Sequence, residues 1–309
     1  MARNASTAAA ARDPLLAARL RLLAAATLFS TGPTAIKACG LGPWQVAGFR
    51  SGTAALFLFL LLRDRRKLLR PKLWLVGVAY AGTLVAYAVA TKLTTAANAI
   101  FLQSTFPIYL LLLSPLLLRE KPRRSDLVFL LAVMGGMALL LLGDVETTAV
   151  ATDPVRGNVL SLVSGLFWAL TLLGLRWLER DTPHGDEGLG QASVVAGNAL
   201  AFVACLPLAL PLGPSRPVDW LLIAYLGIIQ IGLAYLLLTR AMGRVSALEA
   251  GLILMFEPVL TPLWAWAVHG ERPGAWALAG GAVILAAMVW RTIHDATRAR
   301  PAEMAAPPA

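Results

Sequence analysis

Three charges stand where an apolar chain has little use for them. Glu249 and Glu257 interrupt the hydrophobic stretch VSALEAGLILMFEPVLTPLWAWAVHGERP at 245–273, and Arg50 interrupts another that begins PWQVAGFR at 43–50. A charge at the centre of a membrane helix costs roughly 2.5–3.5 kcal/mol on insertion scales, so each needs a partner, a proton or a task. Burial favours the neutral form of a carboxyl group. Glu257 is therefore a candidate for taking up and releasing a proton, or for donating one fixed hydrogen bond between helices. Arg50 can pair with a carboxylate in a cavity, hold a carboxylate on a ligand, or snorkel to the headgroups. Glu249, near the end of its stretch, is a charge-pairing candidate, and its counterpart in the other half is Asn98.

Two prolines mark helix breaks beside these groups. Proline lacks an N–H and frees the carbonyl four residues earlier: Pro258 frees that of Leu254, and Pro107 frees that of Gln103. Irregular backbone at membrane depth is tolerated where it lines a cavity or is buried in protein. Helical spacing of about 100° per residue gathers further polar side chains into stripes. Tyr80, Thr83, Tyr87 and Thr91 share one face, Ser30, Thr34 and Lys37 another, and Glu257, Thr261 and Trp264 a third. Such hydroxyls either face a common polar cavity, bond their own backbone carbonyls or join helices. Of the tryptophans, Trp44, Trp74, Trp220, Trp276 and Trp290 fall at the ends of apolar runs, where indole prefers the headgroup region, whereas Trp168, Trp264 and Trp266 do not. The expected ligand-facing set is Ser30, Thr34, Tyr80, Tyr87, Asn98, Gln103, Trp168, Gln230 and Trp264.

The elements that must position these groups are membrane helices. Hydrophobic residues make up 58% of the 309 and charged residues only 14%, with apolar runs near the ~20 residues that cross a bilayer. Ten spans are expected at roughly 22–39, 44–62, 73–91, 95–118, 125–143, 157–178, 190–211, 218–238, 246–268 and 275–291. A barrel would need alternating polarity, which these runs lack. The net charge of +10 does not describe a nucleic-acid surface, because the basic residues sit between spans. Twenty-one of the 27 fall on one side of the expected topology and four on the other, which orients both termini towards the cytoplasm. Residues 1–21 lack the small-residue cleavage site of a signal peptide, so the first run is expected to remain as a helix.

Residues 94–122 and 245–273 align at an offset of 151, matching a mid-span proline (Pro107, Pro258) and a closing acidic–basic–proline triplet (Glu120, Glu271). Five spans per half is an odd number, so the second half enters the membrane upside down. Inverted repeats of this kind place a site at their interface near mid-depth, as secondary transporters do. The expected fold is an all-α membrane protein of ten transmembrane helices in two inverted five-helix repeats, 22–143 and 157–291. These are joined by an outer loop at 144–156 and flanked by cytoplasmic tails at 1–21 and 292–309. Glu120 and Glu271 are expected to cap loops, and His184 to lie on a surface linker.

The combination PWQVAGFR (43–50), AANAIFLQSTFPIYLLLLSPLLLREKP (96–122), ALEAGLILMFEPVL (247–260) and GERP (270–273) resembles the EamA family of the drug/metabolite transporter superfamily, over roughly residues 20–293. The resemblance implies a bacterial inner-membrane carrier, usually an exporter of amino acids or other small metabolites. One departure stands out. Gly135–Gly136 follows Glu120 by 15 residues, while Gly280–Gly281 follows Glu271 by nine, so the closing helices of the halves are expected to pack differently.

The expected partners are a small-molecule substrate, the lipid bilayer and, through Glu257, protons. No cofactor or metal is expected: Cys39 and Cys205 have no ligand spacing, and no G-x-x-x-x-G-K-[ST] loop for ATP occurs. An intramembrane enzyme acting on lipid or prenyl substrates is the alternative, and it would show clustered Asp, His or Cys near one interface. A channel is a third reading, distinguished by the rate of flux.

Overall fold

The computed structural model describes residues 2–94, 96–120, 122, 124–142, 152–180, 188–269, 275–276, 278–287 and 289–290. Glu271, Arg272, His184, the loop residues 143–151 and the segment 291–309 lie outside that set. The described residues form helices and no strand. Helix α1 comprises Ala2–Ser30 and Gly32–Ala38, α2 is Pro43–Leu61, and α3 is Pro71–Leu93. Helix α4 comprises Ala96–Gln103 and Phe106–Leu117, and α5 is Arg124–Leu142. In the second half α6 is Pro154–Arg180 and α7 is Leu189–Ala209. Helix α8 runs from Pro217 to Met242, α9 comprises Ala247–Leu254 and Phe256–His269, and α10 is described over Leu278–Ala287. Eight of these are long and apolar enough to cross a membrane, and α10 is a shorter apolar helix.

Local sequence explains the boundaries. Pro43, Pro71, Pro154 and Pro217 open their helices, where the missing N–H costs nothing. The Gly42 N–H donates to Gln45 Oε1 at the start of α2, and Glu249 N–H donates to Ser246 Oγ at the start of α9. Helix α1 begins well before the expected residue 22 because the alanine-rich stretch 8–11 has high helix propensity; its apolar part starts at Pro14.

Three helices are broken in mid-course. Helix α1 breaks at Thr31, ahead of Pro33; α4 at Ser104–Thr105, ahead of Pro107; and α9 at Met255, ahead of Pro258. The first of these was not expected. In each case the proline sits in the first turn of the second half, where helix geometry accepts it. Helix α8 is distorted differently: Leu226–Leu233 is a π-helical segment, a form that recurs at functional sites.

The main helix packings run between the halves. Helix α3 lies along α6 and α7, α2 lies along α7, and α1 lies against α8 and α9. Gly77 and Gly197 let α3 and α7 approach: a Cβ on Gly197 would sit 2.7 Å from the Gly77 carbonyl and 2.6 Å from a ring carbon of Tyr80. Close approach through small residues is the usual means of packing in lipid. Gly197→Ala is expected to cost about 1–3 kcal/mol by overpacking, read as a lowered thermal midpoint in detergent. The two glycine pairs do meet unlike surroundings. A Cβ on Gly136 would be 2.8 Å from the Gly280 carbonyl, so α5 and α10 cross there, whereas Gly281 faces only Val259 at 3.6 Å and Gly135 faces nothing within 4 Å.

Candidate functional site

The three breaks and the π segment converge on one cavity of about 40 Å³, lined by Phe29, Arg50, Thr83, Leu84, Tyr87, Gln103, Trp168, Gln230, Ile231, Tyr235 and Glu257. Both halves contribute walls. That volume holds a water or two; the site is narrow.

Each irregularity supplies something to the cavity. Pro33 frees the Phe29 carbonyl, which receives the Gln230 side-chain amide at 3.5 Å. Thr31 at the same break donates to the Leu28 carbonyl at 2.7 Å and accepts from the Tyr225 hydroxyl at 2.8 Å. Pro107 frees the Gln103 carbonyl, which lies over Gly165; a Cβ there would be 2.8 Å from that oxygen. The Gln103 side chain donates to Ser164 Oγ at 2.7 Å. The π turns carry Gln230 and Tyr235 to the same cavity, although regular α spacing would set them about 140° apart.

Polar groups in this cavity are short of partners. Arg50 is 2% exposed, so it does not snorkel. One guanidinium nitrogen donates to the Leu84 carbonyl at 2.9 Å, while its Nε has no acceptor. The Tyr87 hydroxyl and Gln230 Oε1 are likewise buried with no hydrogen-bond partner among the described residues. Glu257 is 9% exposed, and no described residue donates a hydrogen bond to its carboxyl group or forms an ion pair with it. Arg50 and Glu257 are not joined to each other. Unpaired buried polar groups cost about 1–3 kcal/mol each, and charged ones more. Their concentration in one cavity points to a ligand that completes them.

The apolar wall is aromatic. Phe29, Trp168 and Tyr235 meet edge to face, with ring centroids 5.1–6.0 Å apart, and Phe106 abuts Trp168 at 6.1 Å. Tyr80 stands behind this wall, its ring 4.5 Å from that of Tyr235 and its hydroxyl accepting from Asn198 at 3.2 Å.

The structure thus brings Arg50, Tyr87, Gln103, Trp168, Gln230 and Glu257 together and leaves other expected residues outside. Ser30 and Trp264 bond each other at 2.8 Å, tying α1 to α9. Thr34 is buried away from the cavity, and Asn98 is half-buried near the start of α4. Glu249 forms an ion pair with Arg19 at 2.8 Å, in the opening turn of α9. The stripe hydroxyls of Ser30, Thr83, Thr91 and Thr261 all donate to carbonyls of their own helices, the backbone-bonding alternative, and only Thr83 also reaches the cavity wall. Phe29, Leu84, Ile231 and Tyr235 were not singled out in the sequence.

Polar clusters tie the helices together towards both ends. On the basic face, Glu120 Oε1 pairs with Arg176 at 2.8 Å and Oε2 accepts from the Ala247 N–H at 3.3 Å. Glu120 of the first half therefore caps the opening turn of α9 in the second. On the opposite face, Asp219 accepts from Gly40 N–H at 2.7 Å and from Arg216 at 2.9 Å, while Lys37 donates to the Thr94 carbonyl and Lys92 to that of Cys39. Cys39 is 2% exposed beneath this cluster. In a Cys205→Ser background, Asp219→Asn should accelerate maleimide labelling of Cys39 about tenfold, because a neutral amide holds the Gly40 N–H and Arg216 less firmly than a carboxylate does; an unchanged rate would mean that Asp219 does not cover Cys39.

The comparisons with known proteins agree with this architecture. The chain matches the EamA-like transporter family over residues 17–142 and again over 155–292, one match per half. It is 28% identical to the pseudopaline exporter CntI of Pseudomonas aeruginosa over 251 residues, covering 79% of this chain and 84% of that one. It is 26% identical to an uncharacterized transporter of Archaeoglobus fulgidus, covering 82% and 88% of the two chains. A solved crystal structure shares the fold with a TM-score of 0.71 at 21% identity, covering 87% of this chain and 94% of that one. Two tandem matches that span both halves, in a chain built of membrane-crossing helices around a shared central cavity, establish that this multi-pass membrane protein belongs to the EamA-like transporter family.

Proposed function

We propose that the protein is a secondary transporter that exports a small zwitterionic metabolite from the cytoplasm in exchange for protons, exposing the central cavity alternately to the two membrane faces. One observation carries the reading: Arg50 from the first half and Glu257 from the second share a cavity, and neither meets a counter-charge among the described residues. A substrate carboxylate fits the guanidinium, whose planar fork suits bidentate recognition, and a substrate ammonium fits Glu257. The aromatic wall of Phe29, Trp168 and Tyr235 takes the apolar remainder. Glu257 crosses a low-dielectric interior most readily when it is either protonated or paired with an ammonium. Those two states exclude each other, which makes the exchange obligatory.

The mechanism follows from the broken helices. Half-helices hinge at Thr31, Ser104–Thr105 and Met255, so one polar cluster can part while the other holds. The distribution of the basic residues supports cytoplasmic termini, in a bacterial inner membrane. The name of the Pseudomonas relative, an exporter, supports an outward direction.

The test is flux in proteoliposomes. A panel of amino acids, betaines and amines is loaded inside, and efflux is followed with and without a pH gradient. The reading expects saturable flux for ligands that carry both a carboxylate and an ammonium group. Flux that never saturates, or equal flux of neutral solutes, would make the cavity a pore and end it.

A further inference from the structure

A second cavity lies far from the central one, on the lipid-facing side of the bundle near the basic face. It is an apolar crevice of about 290 Å³ between α2, α3 and α7, at the small end of ligand pockets (about 300–1,000 Å³). Ala55, Ala196 and Ala199 open it, and Phe59, Leu68 and Trp74 form its walls. Its one polar wall group is spoken for, because the Trp74 indole N–H donates to the Leu68 carbonyl at 2.9 Å.

The mouth of this crevice is cationic. A short 3₁₀ helix, Arg65–Leu69, connects α2 to α3, and residues 63–72 carry six basic side chains against the single carboxylate of Asp64. That carboxylate is used in capping the 3₁₀ helix through the Arg66 N–H. The Arg65 guanidinium lies 4.5 Å from the centroid of the Phe59 ring, so a crevice wall holds a cation at the entrance. Arg63 and Arg66 are exposed close to it in sequence, and the Lys72 ammonium lies 6.0 Å from the centroid of the Trp177 ring. Leu69, 82% exposed on the same 3₁₀ helix, is suited to dip into the acyl region while its basic neighbours stay at headgroup level.

We propose that this crevice binds one anionic phospholipid of the adjoining leaflet, with an acyl chain between α2, α3 and α7 and the phosphate on Arg65 and Arg66. The argument is charge complementarity joined to shape. A dry slot fits hydrocarbon, and the cations at its mouth select a negative headgroup over a zwitterionic one. Because α2 and α3 carry Arg50 and Tyr87 further along, the bound lipid would brace the helices that form one wall of the central cavity. The site does not depend on what the central cavity carries.

Native mass spectrometry of the full delipidated chain tests this, with dioleoylphosphatidylglycerol and dioleoylphosphatidylcholine titrated separately. One phosphatidylglycerol is expected to be retained, at least about tenfold more tightly than phosphatidylcholine. Arg65→Gln with Arg66→Gln should weaken phosphatidylglycerol binding on the order of fivefold per cation removed and leave phosphatidylcholine unchanged. Ala199→Phe, which fills the slot, should weaken both lipids, and a thermal melt checks that each variant is folded. Equal retention of the two lipids overturns the proposal. So does a charge variant that keeps the preference, or a filled slot that keeps full phosphatidylglycerol affinity, which would reduce the effect to surface attraction. A dimer mass in place of bound lipid would assign the crevice to a second copy instead.

Discussion

Arg50→Gln will leave the protein folded and weaken a carboxylate-bearing substrate by at least about 30-fold, the low end of the 2–5 kcal/mol lost when one partner of a buried charge pair is removed. The guanidinium gives one hydrogen bond to the Leu84 carbonyl and keeps Nε unused. Removing it costs the empty protein little, because Leu84 lies within α3 and its carbonyl can still accept within the helix. The loss should be selective. The decarboxylated analogue of the same substrate, an amine, should bind wild type and variant within about threefold, since it never used the guanidinium. Arg50→Lys should recover only part of the loss, because an ammonium cannot reproduce the planar fork. Isothermal titration of both ligands against all three proteins decides the matter. If acid and amine lose equally, Arg50 is a strut holding α3 and has no direct role in recognition.

Glu257→Gln is the second large effect, and it falls on coupling. The substitution preserves size, and no described residue loses a partner by it. A carrier that exchanges one proton per substrate turns each unit of pH difference into about a tenfold substrate ratio, since 1.4 kcal/mol is tenfold. The sign is fixed: acid outside drives substrate out, because protonation of Glu257 on that face displaces the substrate ammonium. Glutamine carries no titrating proton, so the variant should show no response to the gradient, while exchange of labelled for unlabelled substrate persists at reduced affinity. Wild-type accumulation ratios in the variant would assign coupling to another group, and would leave the Arg50 argument standing.

The helices were legible because bilayer-length apolar runs leave few alternatives. Pro107 and Pro258 marked two of the three breaks, but Pro33 was passed over. The dipeptide Gly32–Pro33 lies in the first half's opening helix, outside the paired stretches 94–122 and 245–273. Of the striped residues, Tyr87, Thr83 and Glu257 line the cavity, and Ser30, Thr34, Thr261 and Trp264 do not. Tyr80 shares a face with Tyr87, but it lies nearly two turns away, at the depth of Asn198. Tyr235 shares the cavity with Gln230 because the π segment breaks regular α spacing. The Ser and Thr hydroxyls turned back to their own backbones because a carbonyl four residues earlier is always within reach. Glu120 shows what no local pattern reveals: its partners Arg176 and Ala247 are 56 and 127 residues away.

The central cavity of about 40 Å³ has a consequence for anyone seeking inhibitors. No metabolite fits the arrangement described, so every ligand must first prise the half-helices apart. Its apparent affinity is scaled down by the rarity of the parted form. A molecule that wedges Phe29 from Tyr235 on one face only would gain twice, by filling the gap and by forbidding the return stroke. Compounds chosen to fit the shut form would have nowhere to go.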